Sequence, residues 1–255
     1  VLAPDVARAA QPGHFVMLRL SEGGERIPLT VADYDRERGT ITMVIQALGK
    51  TTQAMRDHYK AGDSIADFVG PLGLPQHVGN AGHVVLVGGG LGVAPVYPQL
   101  RAFKEAGNRT TGIIGFRSKE LVFWEEQFGR WCDNLIVCTD DGSYGKPGFV
   151  TQALKEVLEH DRPDLVIAIG PLPMMNACVE TTRPSGVKTM VSLNAIMVDG
   201  TGMCGSCRVT VGSEIKFACV DGPDFDGHQV DFKELMLRQR RFKGEETKAS
   251  DDYAH

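Results

Sequence analysis

The chain has 255 residues, with 27 lysines and arginines against 32 aspartates and glutamates, and a net charge of −5 at pH 7. This length allows two domains and a small third one, and the acidic balance excludes nucleic acid as a main partner and a polybasic membrane anchor. No apolar run approaches the roughly eighteen residues of a membrane span, the first residues lack a signal-peptide pattern, and six cysteines do not form a secreted disulfide pattern. A cytoplasmic location is therefore expected, without a membrane partner.

Residues 1–79 are predicted to form an antiparallel β-barrel. Short runs rich in Val, Ile, Phe and Thr are separated by turn residues such as Pro12-Gly13 and Arg38-Gly39. Evenly spaced short strands of this kind are typical of a small barrel. The predicted strands cover residues 14–20, 27–31, 40–46 and 64–68, with one helix over 51–58.

Residues 80–188 are predicted to form a separate α/β domain. Four short apolar runs alternate with helix-length segments, which indicates a parallel sheet with helices on both faces. The predicted strands are residues 83–87, 112–116, 135–138 and 165–169, and the predicted helices are 94–106, 119–130, 149–160 and 173–182.

Residues 189–255 are predicted to form a small third domain. This segment is rich in glycine up to Cys207 and then has two strand-like runs, 208–211 and 214–218. Asp231 and Glu234 have the spacing of a capping box, which predicts that a short helix begins there. The charged tail, 243–255, is predicted to be mobile because it has few apolar residues.

Three of the six cysteines lie in one glycine-rich stretch, as Cys204, Cys207 and Cys219. The plant-type iron–sulfur spacing C-x4-C-x2-C puts Asp199 where the first cysteine is expected. Thiolates favour iron–sulfur clusters or zinc, so the pattern predicts a [2Fe–2S] cluster held by three thiolates and one carboxylate. A structural zinc site and a metal-free Cys-x-x-Cys remain as alternatives.

A second glycine-rich stretch follows the first buried strand of the α/β domain and opens a helix. Backbone N–H groups at such a helix start bind the pyrophosphate of a dinucleotide, although the strict G-x-G-x-x-G pattern is not met. The glycines concerned are Gly88, Gly89, Gly90 and Gly92. Arg117 and Ser118 end the second strand, where an acidic residue is usual, and they would admit the 2′-phosphate of NADP. The alternative is an ordinary tight strand–helix turn.

Two segments of the barrel region could bind phosphate or a cofactor ring. An Arg at a strand start can pair with phosphate, and hydroxyls at a helix start can face an anion. The candidates are Arg26, Pro28, Leu29 and Thr30 in the first segment, and Gly49, Lys50, Thr51 and Thr52 in the second. The alternatives are a surface arginine and an ordinary N-capped helix.

Two loops follow later strands of the α/β domain, at the carboxyl edge where open α/β sheets bind ligands. One contains Asp140, and the other contains Gly170 and Pro171. Both could form walls of a nicotinamide pocket, and plain loops are the alternative. No residue pattern for a catalytic triad or other catalytic group is present, so no catalytic residue is predicted.

The order of barrel, α/β domain and cysteine-rich segment resembles the ferredoxin–NADP reductase superfamily, in the branch of the dihydroorotate dehydrogenase B electron-transfer subunit. The resemblance implies FAD at the segments 26–30 and 49–52 and a nicotinamide nucleotide on the α/β domain. Two features depart from it. Arg26 and Thr30 are one residue further apart than usual, and the fourth strand ends Ile169-Gly170-Pro171 rather than Cys-Gly-Pro.

Residues 191–194, 197–207, 217–223 and 225–228 resemble more closely the small-subunit family of NADH-dependent reduced ferredoxin:NADP oxidoreductases, also called sulfide dehydrogenases. Asp199 is the most specific mark of this resemblance. It implies NAD(H) rather than NADP, a heterodimer with a larger flavin and [4Fe–4S] subunit, electron bifurcation in that subunit, and indirect exchange with ferredoxin and NADP(H). Alternatives are an electron-transfer subunit of a dihydroorotate dehydrogenase or hydrogenase and, in another class, a zinc-binding interaction module.

Overall fold

The first part of the chain is built from antiparallel strands, as the sequence predicts. The computed structural model describes residues 1–254, and in it a three-stranded sheet has the order β2-β1-β5 beside the hairpin β3–β4. The strands are β1 (Phe15–Arg19), β2 (Arg26–Thr30), β3 (Asp33–Asp35), β4 (Thr40–Thr42) and β5 (Asp67–Leu72), and the helices are α1 (Pro4–Ala9) and α2 (Lys50–His58). This β-domain is two antiparallel sheets rather than one continuous barrel.

A seven-stranded sheet forms the centre of the molecule. Its order is β14-β11-β10-β6-β7-β8-β9, and every pair is parallel except β11–β14. The strands are β6 (His83–Gly89), β7 (Arg109–Phe116), β8 (Asn134–Thr139), β9 (Lys146–Pro147), β10 (Leu165–Ile169), β11 (Lys188–Ser192) and β14 (Asp224–Asp226). All residues of β6 and β10 are buried, as their unbroken apolar runs predict.

Helices cover both faces of this sheet, which confirms the predicted α/β architecture. They are α3 (Val93–Glu105), α4 (Glu125–Gly129), α5 (Val150–His160) and α6 (Leu172–Thr182). The helix predicted over 119–130 is shorter, because Trp124 has a φ of 59° and a left-handed residue interrupts a helix. In the described part of the chain, no helix is long and apolar enough to cross a bilayer.

The last part of the chain adds a hairpin and two helices to the sheet strand β14. The hairpin is formed by β12 (Arg208–Val211) and β13 (Glu214–Phe217), and the helices are α7 (Phe232–Gln239) and α8 (Lys243–Ala254). Asp231 Oδ1 accepts a hydrogen bond of 2.9 Å from Glu234 N, so Asp231 is the N-cap of α7 as predicted. The capping box is not completed, because Asp231 N donates to Thr210 O and Glu234 accepts from the Thr210 hydroxyl. The central sheet continues past the predicted boundary at residue 189 through β11 and β14, and the division into three domains stays a prediction.

The charged tail was predicted to be mobile, and this is wrong for its described residues, because they form α8. Helix α8 packs on α2, where Gln53 Nε2 donates to Ser250 Oγ at 2.8 Å and Tyr253 OH donates to Asp57 at 3.3 Å. The partners are almost 200 residues apart, so local composition gave no sign of them. His255, the last residue of the predicted tail, lies outside the described residues.

A carboxyl group is enclosed where β14 meets α3. Asp224 keeps some exposed surface, but its Oδ1 is buried and has no hydrogen-bond partner among the described residues. Gln99 Nε2 donates to Asp224 Oδ2 at 3.1 Å, while Gln99 Oε1 is buried without a donor. Burial raises the pKa of Asp224 to about 6, although hydrogen bonds from Ser192 and Gln99 act in the opposite direction.

Asp224→Asn is expected to stabilise the protein above about pH 6. The carboxyl titrates near 3.8 when unfolded and near 6 when folded, so its stability contribution is full below 3.8 and is lost as pH rises through 6. Asparagine does not ionise, so it avoids this loss. The gain in the free energy of unfolding is at most about 3 kcal/mol, because each pKa unit corresponds to about 1.4 kcal/mol. The difference in the free energy of unfolding between variant and parent can be measured by urea unfolding at pH 4.5 and at pH 8. Asp252→Asn, at an exposed residue of α8, is the control. A gain equal at both pH values would contradict the prediction.

Candidate functional site

A pair of buried thiols lies at the base of the β12–β13 hairpin. The hairpin register pairs Arg208 with Phe217, and this brings Cys207, just before β12, close to Cys219, just after β13. The two Sγ atoms are 3.2 Å apart, both residues are free thiols, and each is only 2% exposed. Burial raises the pKa of the Cys219 thiol to about 12, and the hydrogen bond with Cys207 adds to the effect.

A second donor pair, exposed to solvent, joins Asp199 to Cys204, with 3.2 Å between Oδ1 and Sγ. The Asp199 carboxylate also accepts backbone N–H bonds from Thr201 (3.2 Å), Met203 (2.9 Å) and Cys204 (3.2 Å). Partial desolvation acts to raise the pKa of Asp199, but the hydrogen bond from the Cys204 thiol and those from Thr201 and Met203 outweigh it and lower the pKa to about 2. Asp199 is therefore an ionised oxygen donor that also organises the backbone of its own loop.

The two pairs lie near each other. A Cβ on Gly202, in the loop between Asp199 and Cys204, would lie 3.0 Å from Val220 Cγ1, the residue after Cys219. The charge of Asp199 acts to raise the pKa of the Cys219 thiol. Among the described residues, however, no three His, Cys, Asp or Glu side chains are grouped as the ligands of a single metal ion. Two donor pairs suit a cluster of two irons better than one tetrahedral zinc ion.

The four donors fit a [2Fe–2S] cluster in their chemistry. Thiolates are the usual ligands of iron–sulfur clusters, and a bound metal deprotonates even a high-pKa thiol such as Cys219. Side-chain and backbone hydrogen bonds from Ser206 lower the pKa of the Cys204 thiol, so this thiol ionises more readily. Sequence reasoning missed Ser206, although a hydroxyl between two ligand cysteines was a visible signal.

The loop that carries Asp199 and Cys204 packs against the β-domain. Gly200 has a φ of +75°, and a Cβ at this position would lie 2.6 Å from Met17 Cγ and 3.3 Å from Leu72 Cδ1. Met17 belongs to β1 and Leu72 to β5. Only glycine combines this backbone conformation with such close contact, so Gly200 brings the donor loop directly onto the β-domain.

The predicted cofactor residues of β2 divide between two faces of the strand. Leu29 packs with the β-domain core, which includes Val16 and Ile41. Because side chains alternate along a strand, the residues at the even positions point away from Leu29. These are Arg26, Pro28 and Thr30. The side chain of Leu29 therefore serves the core, whereas the exposed Arg26 and half-buried Thr30 share the other face.

The other predicted segment of the β-domain lies at the start of α2. Gly49 is the N-cap and Lys50 the exposed first helical residue. Thr52 Oγ1 accepts hydrogen bonds from Leu48 N (3.0 Å) and Gly49 N (3.1 Å), and Thr51 donates to Glu25. These threonine hydroxyls are already used within the protein, so the backbone N–H groups of the helix start and Lys50 are the groups best placed for an anion.

The predicted nucleotide loops of the α/β domain meet at the carboxyl edge of the sheet. Strand β6 has β7 on one side and β10 on the other, which makes its end a switch point of the kind where open α/β sheets bind ligands. A Cβ on Gly92 would overlap the Ile169 carbonyl oxygen at the end of β10, beside Gly170 and Pro171. Gly90, by contrast, has a φ of +55° and open space beside it.

Asp140 lies further along the same edge, as an exposed residue directly after β8. Two strands separate β8 from β10, with the order β10-β6-β7-β8. The structure therefore brings the loops after β6 and β10 into contact and leaves Asp140 on the flank of that site.

Comparisons with known proteins agree with this arrangement. A family model described as the iron–sulfur cluster binding domain of dihydroorotate dehydrogenase B matches residues 194–231, a range that contains all four predicted ligands. The chain is 50% identical to a dihydroorotate dehydrogenase B (NAD(+)) electron transfer subunit homolog of Thermotoga maritima, over 96% of this chain and 86% of that protein. It is 36% identical to the electron transfer subunit of Shouchella clausii, over 88% of each.

A solved structure of an oxidoreductase has the same fold as this chain. A chain in the structure of an NADH-dependent reduced ferredoxin–NADP oxidoreductase, a system of flavin-based electron bifurcation, superposes with a TM-score of 0.93. The match has 47% sequence identity and covers 99% of this chain and 91% of that one. The likeness therefore extends over the β-domain, the central sheet and the cysteine-rich segment together.

Proposed function

The chain belongs to the family of dihydroorotate dehydrogenase B electron-transfer subunits and their homologues, and from this premise we propose its place in a particular complex. We propose that it is the small subunit of an NADH-dependent reduced ferredoxin:NADP oxidoreductase, in which it passes electrons between NAD(H), FAD and a [2Fe–2S] cluster. The observation that carries this proposal is the set of two donor pairs, Asp199–Cys204 and Cys207–Cys219, of which the first lies on a loop packed against the β-domain.

Each part of the chain has a role in this proposal. FAD, when bound, exchanges a hydride with the nicotinamide and single electrons with the cluster. The exposed face of β2 and the start of α2 hold FAD, and the glycines after β6 hold the pyrophosphate of NAD(H). Asp140, Gly170 and Pro171 border the nicotinamide. The contact of Gly200 with Met17 keeps the cluster ligands beside the flavin-binding part.

The partner in this proposal is a larger subunit that carries flavin and [4Fe–4S] clusters and at whose flavin electron bifurcation occurs. Through it, the complex exchanges electrons with ferredoxin and NADP(H). The surface next to Cys204 supports docking at this point, since Met203 is 88% exposed and Val198 is 53% exposed. Exposed apolar side chains at a redox site are typical of a surface that another protein covers.

A second candidate is the electron-transfer subunit of a dihydroorotate dehydrogenase. The identities of 50% and 36% to proteins with that name favour it. The two candidates differ in the partner and its substrate, so the purified native complex separates them. Oxidation of dihydroorotate with NAD⁺ would support the dehydrogenase, whereas reduction of NADP⁺ with NADH and reduced ferredoxin would support the proposed oxidoreductase.

The cofactors provide the direct test of the proposal. Anaerobically purified protein is expected to contain two irons, two acid-labile sulfides and one FAD per chain, as roughly whole-number ratios. NADH is expected to bleach the flavin absorption and to produce a cluster EPR signal faster than NADPH does. Zinc without iron, in a colourless sample, would contradict the electron-transfer function and leave the zinc-binding module.

A further inference from the structure

The last turn of α7 is tied to the loop that carries the proposed cluster ligands. Arg238 Nη2 donates a hydrogen bond of 3.1 Å to the carbonyl oxygen of Ser206, which lies between Cys204 and Cys207. The next residue, Gln239, donates to the backbone oxygen of Asn194 at 2.8 Å and to its side-chain oxygen at 3.1 Å. Helix α7 thus holds the loop at its beginning and between two ligands.

Helix α7 is itself fixed firmly at its other end. Asp231 caps its first turn, and Asp231 N donates to Thr210 O in β12 at 2.9 Å. Thr210 Oγ1 donates to Glu234 Oε2 at 2.6 Å. Because β12 begins directly after Cys207, the helix and the ligand loop form one connected unit, and Arg238 keeps a defined position relative to the sulfur atoms.

Arg238 has cationic and not acidic neighbours in the cavity that it lines. Arg238 is half-buried and forms no ion pair with any described residue. It lines a small cavity of about 40 Å³ together with Ser206, Arg208 and Arg241, and no acidic residue contributes to the lining. A chain with a net charge of −5 therefore has a local positive region beside its proposed cluster.

We propose that Arg238 is a positioning residue that fixes the Cys204–Cys207 segment and raises the midpoint potential of the cluster bound there. This inference rests on the proposed function, since it requires a [2Fe–2S] cluster at the four donors. Reduction adds one negative charge to the cluster, and a nearby cation stabilises that charge. A half-buried cation is screened less by salt than a fully exposed one, so its effect persists at ordinary ionic strength.

Ser206 carries the effect of Arg238 to the ligands in a second way. The Ser206 carbonyl, one residue before the proposed ligand Cys207, accepts from Arg238 at 3.1 Å. Loss of the guanidinium therefore frees the peptide between Ser206 and Cys207 and loosens the position of the Cys207 sulfur. A cluster held by this segment is therefore expected to change in its EPR line shape as well as in its potential.

The test measures the midpoint potential of the cluster by EPR-monitored redox titration of the full chain. Arg238→Gln is expected to shift the potential to more negative values and to change the EPR line shape. Arg238→Lys keeps the charge and one donor, so its potential is expected to stay near that of the parent protein. Arg240→Gln is the matched control, because it removes the same charge from an exposed residue two positions further on.

The outcomes separate this inference from the proposed function. If the parent protein contains no iron, the proposed function fails. If it contains the cluster and Arg238→Gln titrates at the parent potential, or if Arg238→Gln and Arg240→Gln shift equally, the role of Arg238 is overturned. If Arg238→Gln loses its iron, Arg238→Lys decides: a retained cluster at the parent potential supports the role, and a shifted potential or lost iron overturns it.

Discussion

Replacing Asp199 with alanine is expected to remove most of the visible absorption and EPR signal of the [2Fe–2S] cluster. The substitution deletes the oxygen donor of one pair, which lies 3.2 Å from Cys204 Sγ. It also removes the acceptor of three backbone N–H bonds in the same loop. Iron retention should fall by at least about tenfold, since even residues outside the ligand shell cost 10- to 100-fold in metal affinity.

The two roles of Asp199 can be separated with two further substitutions. Asp199→Asn keeps one oxygen, which can still accept the N–H bonds of Met203 and Cys204, but it removes the ionised ligand, so it is expected to lose the cluster nearly as fully as alanine does. Asp199→Cys restores the spacing C-x4-C-x2-C and should retain the cluster with an altered spectrum and potential. An unchanged EPR signal in Asp199→Asn would show that Asp199 only shapes the loop.

For the four proposed ligands, the sequence predicts which residues take part but not how they pair in space. Ligand spacing is a local property, so the sequence indicated Asp199, Cys204, Cys207 and Cys219 directly. How these four pair depends on the register of β12 and β13, which brings Cys207 and Cys219 to 3.2 Å. The pairing therefore followed only from the folded hairpin.

The regular elements were predictable where one strong local pattern determined them. Strands β6 and β10 are continuous apolar runs, and their buried positions agree with the prediction. Strand β14 was missed because it has three residues, of which only Phe225 is apolar. Its place in the sheet comes from pairing with β11, a contact between segments that are over thirty residues apart.

Long-range contacts account for the other differences. Helix α8 contacts α2 through Ser250 and Gln53, and Gln99 of α3 contacts Asp224 of β14. The side chain of Leu29, in the predicted cofactor segment, joins the β-domain core, and a contact of this residue with a cofactor stays a prediction. In each case tertiary packing decided the outcome, and neither local composition nor motif spacing contains that information.

The three parts of the chain are joined at positions that matter for electron transfer. Gly200 of the ligand loop touches Met17 of the β-domain. Leu74, just after β5, donates its N–H to Gly222 O at 2.6 Å, between the cluster ligands and β14. The segment with the four proposed ligands is therefore held by the β-domain and by the central sheet together, which keeps its distance from the proposed flavin site fixed.

Gly92→Ala is expected to weaken NADH binding at least about tenfold, which corresponds to about 1.4 kcal/mol. A Cβ at this position would overlap the carbonyl oxygen and carbonyl carbon of Ile169, and these backbone atoms cannot move without separating α3 from the end of β10. Overpacking of this kind costs about 1–3 kcal/mol of folding stability. The shift would also open the turn whose N–H groups are proposed to hold the pyrophosphate.

Gly129→Ala is the matched control, because Gly129 lies in α4 and a Cβ there meets nothing within 4 Å. Both variants should be compared by the free energy of unfolding and by the NADH concentration that half-reduces the flavin. Since Gly92 has an ordinary helical φ of −60°, any loss must come from the contact with Ile169 and not from backbone strain. Equal NADH affinity in the two variants would place the dinucleotide away from the β6–β10 switch point.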